Sequence, residues 1–163
     1  MRIATAFTLC LPLLAAAPAH ADSSWDAVKD VAKQQAQTKM ETTLGLPNPS
    51  APGAKVYIIE PKDGAAVSSP VKVVFGLSGM GVAPAGTQVE NTGHHHLLVD
   101  NPEVVMSQPL PANDQIKHFG KGQTETMLDL KPGKHTLQLL FADWKHQPHN
   151  PALMSDKVTI TVK

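Results

Sequence analysis

Eight histidines stand in the 163-residue chain, and their spacing is the first sign of chemistry. Three are contiguous, His94-His95-His96. His118 opens the run His118-Phe119-Gly120-Lys121-Gly122-Gln123-Thr124-Glu125. His146 and His149 lie three apart in Asp143-Trp144-Lys145-His146-Gln147-Pro148-His149-Asn150-Pro151. Imidazole nitrogens suit Zn²⁺, Cu²⁺ and Ni²⁺. On a strand, alternate side chains share a face, so His94 and His96 can hold one ion while His95 points the other way. His146 and His149, around a proline-containing turn, can close such a site, and His118 can add a ligand. The candidate ligand set is therefore His94, His96, His118, His146 and His149, for copper or zinc. Asp143 and Glu125 can ligate, or can orient an imidazole from behind. His95 shares its face with Leu97 and Val99 and reads as buried and hydrogen-bonded. His135 shares its face with Leu137, Leu139 and Phe141 and reads as a histidine at the edge of the core.

Other chemistries lack their residues. No G-x-S-x-G nucleophile motif is present, and Ser78 and Ser107 have no motif around them. The glycines Gly76, Gly79, Gly81 and Gly86 do not spell G-x-x-x-x-G-K-[ST], so they read as loop geometry rather than a phosphate cradle. Met80, Met106, Met127 and Met154 are soft enough for Cu(I) but read as packing.

The N-terminus bounds the compartment. Met1-Arg2 precedes an apolar run from Ile3 to Ala17, and Ala19-His20-Ala21 makes an A-x-A site before polar Asp22. This is the pattern of a secretory signal peptide over residues 1–21, which directs the protein to the periplasm with cleavage after Ala21. A cut at the alternative site Ala17-Pro18-Ala19 leaves His20 as a copper-chelating N-terminus. The apolar run is too short, and too broken by Pro12 and Pro18, to span a membrane. Cleavage removes the single cysteine, Cys10, and the single arginine, Arg2. The remaining 13 lysines against 14 acids leave a charge of about −1, read off the same sequence. An arginine-free, near-neutral chain does not fit nucleic-acid binding.

Elements must then position the histidines. Residues 22–46 read as an N-terminal helix, capped by Ser23 or Ser24 and stopped by Gly45 and Pro47. Its apolar positions Trp25, Val28, Ala32, Ala36 and Met40 make a thin stripe. Residues 47–53 read as a proline-rich linker. From 54 to 163 the pattern is β: strands over Lys55–Glu60, Val71–Leu77, His94–Asp100, Val105–Leu110, Thr124–Leu130, His135–Ala142 and Lys157–Val162. Seven short strands with Gly/Pro turns predict an all-β, immunoglobulin-like sandwich behind one helix. If connections alternate between its ends, those after the second, fourth and sixth strands share one rim. Six histidines then gather at that rim, and His135 falls at the other end.

Three long motifs carry a resemblance. They are Phe75-Gly76-Leu77-Ser78-Gly79-Met80-Gly81 with Thr92-Gly93-His94-His95-His96-Leu97-Leu98, then His118-Phe119-Gly120-x-Gly122-Gln123-Thr124-Glu125, then Pro132-Gly133-x-His135-Thr136-Leu137-Gln138-Leu139 continuing to His146-x-Pro148-His149. Together, over about residues 54–163, the chain resembles the bacterial domain-of-unknown-function family 4399. The resemblance implies exported proteins with no settled activity, and it makes His135 a hallmark beside the other histidines. Copper-zinc superoxide dismutase also sets histidines on a β-sandwich, but its disulfide and catalytic arginine are missing here.

The resulting expectation is a periplasmic metal-binding module for copper or zinc, more binding protein than enzyme. The alternative is an envelope-interaction module that recognises a partner protein through the same rim loops, with the helix as contact or spacer.

Overall fold

In the computed structural model, residues 23–43 and 46–163 are described. The leader expected over 1–21 and the helix-stopping Gly45 lie outside them. The helix α1 covers Ser23–Thr43, with Asp26 in its first turn and in an exposed pair with Lys29. Trp25, Val28, Val31 and Met40 are all more than half exposed. No described helix is long and apolar enough to cross a membrane.

Ten strands follow: β1 Lys55–Glu60, β2 Ala66–Val67, β3 Val71–Ser78, β4 Gly81–Val82, β5 Thr92–Val99, β6 Ile116–Phe119, β7 Glu125–Leu128, β8 Gly133–Ala142, β9 Pro148–Met154 and β10 Val158–Val162. One sheet has three strands in the order β1-β3-β7. The other has seven, running β2-β10-β8-β5-β4, with β6 beside β5 and β9 beside β8. Most pairs are antiparallel, but β2–β10 and β4–β5 are parallel.

Alternation builds the core. Val71, Val73 and Phe75 point inward from β3 while Lys72 stays exposed. Val158, Ile160 and Val162 do the same from β10. These side chains meet Val56, Leu97, Val99, Phe119, Leu137, Leu139 and Phe141 in a single hydrophobic cluster shared by both sheets. Full burial of each such Leu, Val or Phe stabilises by about 1.5–3 kcal/mol.

Strand β5 departs from alternation: Gly93 through Val99 are all buried. It lies between β8 on one side and β4 and β6 on the other, and it is covered on both faces. Its outer face carries Leu98, which joins Leu110, Ile116, Leu140 and Ala142 in a second, smaller cluster. Leu110 belongs to the long β5–β6 connection, which folds back over that face.

The expected strand Val105–Leu110 is therefore a correction. Those residues form an irregular connection in which Val105 and Met106 are exposed and Leu110 covers the outer face of the large sheet. The true neighbour of β5 is the four-residue β6. The connection expected after the sixth strand contains β9, which tolerates Pro148 as its first residue and Pro151 because it pairs with β8 only near its ends. The proline-rich 47–53 segment runs beside β9. Pro49 bridges Asn150, Asn150 N donates to Asn48 O at 3.0 Å, and Ser50 N donates to Asn150 O at 3.4 Å.

Candidate metal centre

The β ladder decides which histidines meet. His96 lies directly opposite His118 across β5–β6 and opposite Leu140 across β5–β8. Paired residues share a face, so His96 and His118 both sit on the outer face of the large sheet. His94 is two residues from His96 and pairs with Ala142, the last residue of β8. The chain leaves β8 there and turns at once, and that turn brings His146 onto the same face. The group is thus built from three strand residues on the sheet face and one, His146, on the connection after β8. Strand neighbours gather it rather than the alternation of connections.

Four rings make one contiguous group. His94 stands 4.8 Å from His96, 5.0 Å from His118 and 4.9 Å from His146, ring centre to ring centre. His118 stands 5.1 Å from His96 and 4.7 Å from His146, and His96–His146 is 6.0 Å. His94, His96 and His118 each offer a ring nitrogen within 4.8 Å of the others. His118 and His146 meet Nε2 to Nε2 at 3.2 Å. His94 and His96 are fully buried, His146 is half-buried and His118 is exposed, so the group opens to solvent on one side.

Both ring nitrogens of His94 and of His96 are buried without a hydrogen-bond partner among the described residues. Burial, reinforced by the His146 and His118 rings, pushes the His94 imidazole down to about 3. Burial, then His94 and His118, pushes His96 down to about 2. His118 is also lowered, by burial first and His146 second. Neutral imidazoles are the form that ligates a metal, since a proton competes for the same lone pair.

Asp143 holds the turn that carries His146. Its Oδ1 accepts from Lys145 N at 2.8 Å and Gln147 N at 2.9 Å, and its Oδ2 accepts from Asn48 Nδ2 at 2.7 Å. His146 N donates to Asp143 O at 2.9 Å, and Leu110 N donates to His146 O at 2.9 Å. Within this frame His146 sits at φ 68°, in the left-handed region that non-glycine residues rarely adopt. Asp143 thus bonds to no imidazole, but it positions one by shaping its backbone.

The other candidates lie elsewhere. His149 is buried on β9, its ring stacked on Phe141 at 5.9 Å and its Nδ1 3.3 Å from Asn48 O. It makes no ring contact with the four, although its charge is felt at His94, and burial lowers it against the opposing pull of Asp143 and the Asn48 and Pro49 backbone. His95 points into the shared core between Phe75 at 5.2 Å and Phe141 at 5.0 Å. Burial pushes it down to about 4, opposed by the Gln123 backbone. Glu125 stands on β7 of the other sheet, in an exposed ion pair with Lys72 at 3.2 Å, and orients no histidine. His135 bonds to Asp100 Oδ2 through Nδ1 and to Lys131 O through Nε2, both at 2.9 Å, so neither nitrogen is available to a metal. Those two acceptors raise its pKa, the Asp100 bond most.

Two contributors were not singled out in the sequence. Gly120 leaves room for the His118 ring: a Cβ there would run into His118 Cε1 and Nε2. The His-Phe-Gly order was its only signal. Asn48, inside a proline-rich stretch, gave none.

A mostly β domain whose large sheet carries four converging imidazoles defines a candidate metal centre. The chain belongs to the family described as domain of unknown function (DUF4399), whose model matches residues 73–163, more than half of its length, and spans all four. Among curated proteins nothing matches the chain.

Proposed function

We propose that this protein is a metal-binding module, for copper or zinc, with His94, His96, His118 and His146 as ligands. The observation that carries the reading is the convergence of these four rings around two, His94 and His96, whose four ring nitrogens are buried without partners. A buried polar group without a partner costs about 1–3 kcal/mol. Four of them cost an amount comparable with the whole stability of a domain, about 5–15 kcal/mol. A cation entering from the exposed His118–His146 side gives each buried ring a partner for one nitrogen. Residues 1–21 act as a leader that delivers the module to the periplasm. Its two sheets serve as an immunoglobulin-like sandwich that holds the buried ligands rigid.

Calorimetric titration of chelator-treated protein with Zn²⁺ and Cu²⁺ tests this. One ion is expected per chain, with affinity tighter than micromolar and lost on combined His94→Ala and His96→Ala substitution. Affinity weaker than about millimolar (about −4 kcal/mol), or unchanged by those substitutions, overturns the reading.

A further inference from the structure

The four rings also carry information about which ion they suit. Resting on the metal-binding reading above, we propose that the site is shaped for a tetrahedral closed-shell ion, Zn²⁺, held by four protein ligands with no open position. Square-planar Cu²⁺ or Ni²⁺ does not suit it.

The six ring separations decide between the geometries. Four imidazoles arranged tetrahedrally at metal–nitrogen distances of about 2.0–2.1 Å have all six pairs of ring centres about 5 Å apart. In a square plane, the two opposite pairs are longer than the four adjacent ones by a factor of about 1.4. Here five separations fall between 4.7 and 5.1 Å. Only His96–His146 is longer, at 6.0 Å. Its opposite pair, His94–His118, would have to be long as well in a square plane, yet it is 5.0 Å. The arrangement is a tetrahedron stretched along one edge.

One pair of donor atoms already stands at tetrahedral spacing, while the ring nitrogens of His94, His96 and His118 lie within 4.8 Å of one another. His118 Nε2 and His146 Nε2 stand 3.2 Å apart, close to the roughly 3.3 Å between two nitrogens on a tetrahedral ion at those bond lengths. All four donors are imidazole nitrogens. Such borderline donors suit Zn²⁺, whereas Cu(I) is selected by thiolate and thioether sulfur. The two buried ligands come from one strand, paired to β8 at both positions and to β6 at His96, so their backbones are fixed before an ion arrives. Four protein ligands on a tetrahedral ion leave no place for a bound water, which is the pattern of sites that hold an ion rather than activate water.

Cobalt(II) reads the geometry directly. The full chain, freed of metal by chelator, is titrated with Co²⁺ and followed in the visible range, then challenged with Zn²⁺ or Ni²⁺. The expected result is the intense band set of four-coordinate Co²⁺, bleached by one equivalent of Zn²⁺ and largely retained with one equivalent of Ni²⁺. In His118→Ala the intense bands are expected to weaken as solvent enters the fourth position. Zn²⁺ affinity is expected to fall by more than the roughly 10–100-fold typical of losing an outer partner. Weak six-coordinate bands, displacement by Ni²⁺ as readily as by Zn²⁺, or a spectrum unchanged in His118→Ala overturns the tetrahedral assignment while leaving metal binding intact. Failure of Co²⁺, Zn²⁺, Ni²⁺ and Cu²⁺ alike to bind overturns both.

Discussion

His96 shows the conflict that the site places on single residues. Its ring is fully buried on the outer face of the sheet, with both nitrogens lacking partners among the described residues. An apolar side chain of similar size would remove that penalty and keep the packing beside Leu140. His96→Leu is therefore expected to raise the melting temperature of the metal-free protein, by an amount equivalent to about 2–6 kcal/mol for its two orphaned nitrogens, while abolishing tight Zn²⁺ binding. Thermal melts with and without metal check it; a less stable metal-free variant would show that the orphaned nitrogens are not a burden. Gly120 supplies the complementary case. In Gly120→Ala the atoms nearest the new methyl are the far end of the exposed His118 ring and, at 3.0 Å, Ala85 Cβ. The ring can swing into solvent, so metal-free stability is expected to change by less than about 1 kcal/mol. Zn²⁺ affinity is expected to fall about tenfold or more, because a small misplacement of a ligand is felt strongly. Calorimetry beside a melting curve separates the two effects.

At the scale of elements, the turn after β8 is the part whose failure would undo the site. Asp143 is buried, 1% exposed, and accepts hydrogen bonds from Lys145 N, Gln147 N and Asn48 Nδ2. Hydrogen bonds to a charged group contribute about 1.5–3 kcal/mol each, net of exchange with water. Asp143→Ala is expected to destabilise by about 2–4 kcal/mol and to weaken Zn²⁺ binding, although Asp143 touches no imidazole. Asp143→Asn, which keeps one oxygen acceptor, should recover part of both. Equal loss in the two variants would mean that charge, not turn geometry, is what matters. The elements also show what the sequence disclosed and what it hid. Val71–Ser78 and Val158–Val162 alternate cleanly and were read within a residue or so of their ends. β6 escaped notice because four residues with two polar side chains carry little periodic signal, and β9 because two prolines argue against a strand. The grouping of His94, His96, His118 and His146 was visible in the spacing, but its physical basis was not. It rests on the His96–His118 register, and register is a property of two strands together. The same limit put His149 with the other four in the sequence, whereas β9 turns it toward Phe141.

For the molecule as a whole, three adjacent buried histidines couple folding to pH. In the unfolded chain each titrates near 6.5, whereas in the fold burial lowers His94 to about 3, His95 to about 4 and His96 to about 2. Between pH 6.5 and about 4 the unfolded chain therefore binds three protons that the folded chain refuses. Stability is present above 6.5 and is lost on acidification, at up to about 1.4 kcal/mol per pH unit for each group. His118 and His149, also lowered, act in the same direction. His135 opposes them: its pKa is raised by Asp100 and Lys131, so its contribution is present below 6.5 and is lost as pH rises through its folded value. It is one group against several, so the acid side is the weak one. For the metal-free protein, the urea midpoint is expected to be steady above neutrality and to fall steeply below pH 6.5. Against a total stability of about 5–15 kcal/mol, unfolding without denaturant is expected near pH 5. Bound metal shifts this, because only the folded state offers the assembled site. At pH 7 the loaded protein gains about 4 kcal/mol when free ion exceeds Kd a thousandfold. The gain shrinks as protons compete for the same nitrogens, so the loaded and metal-free curves converge on acidification. Urea midpoints at four pH values between 7.5 and 4.5, with and without Zn²⁺, measure both slopes. A metal-free midpoint independent of pH would show that the three histidines carry partners in solution that release them from the penalty of burial.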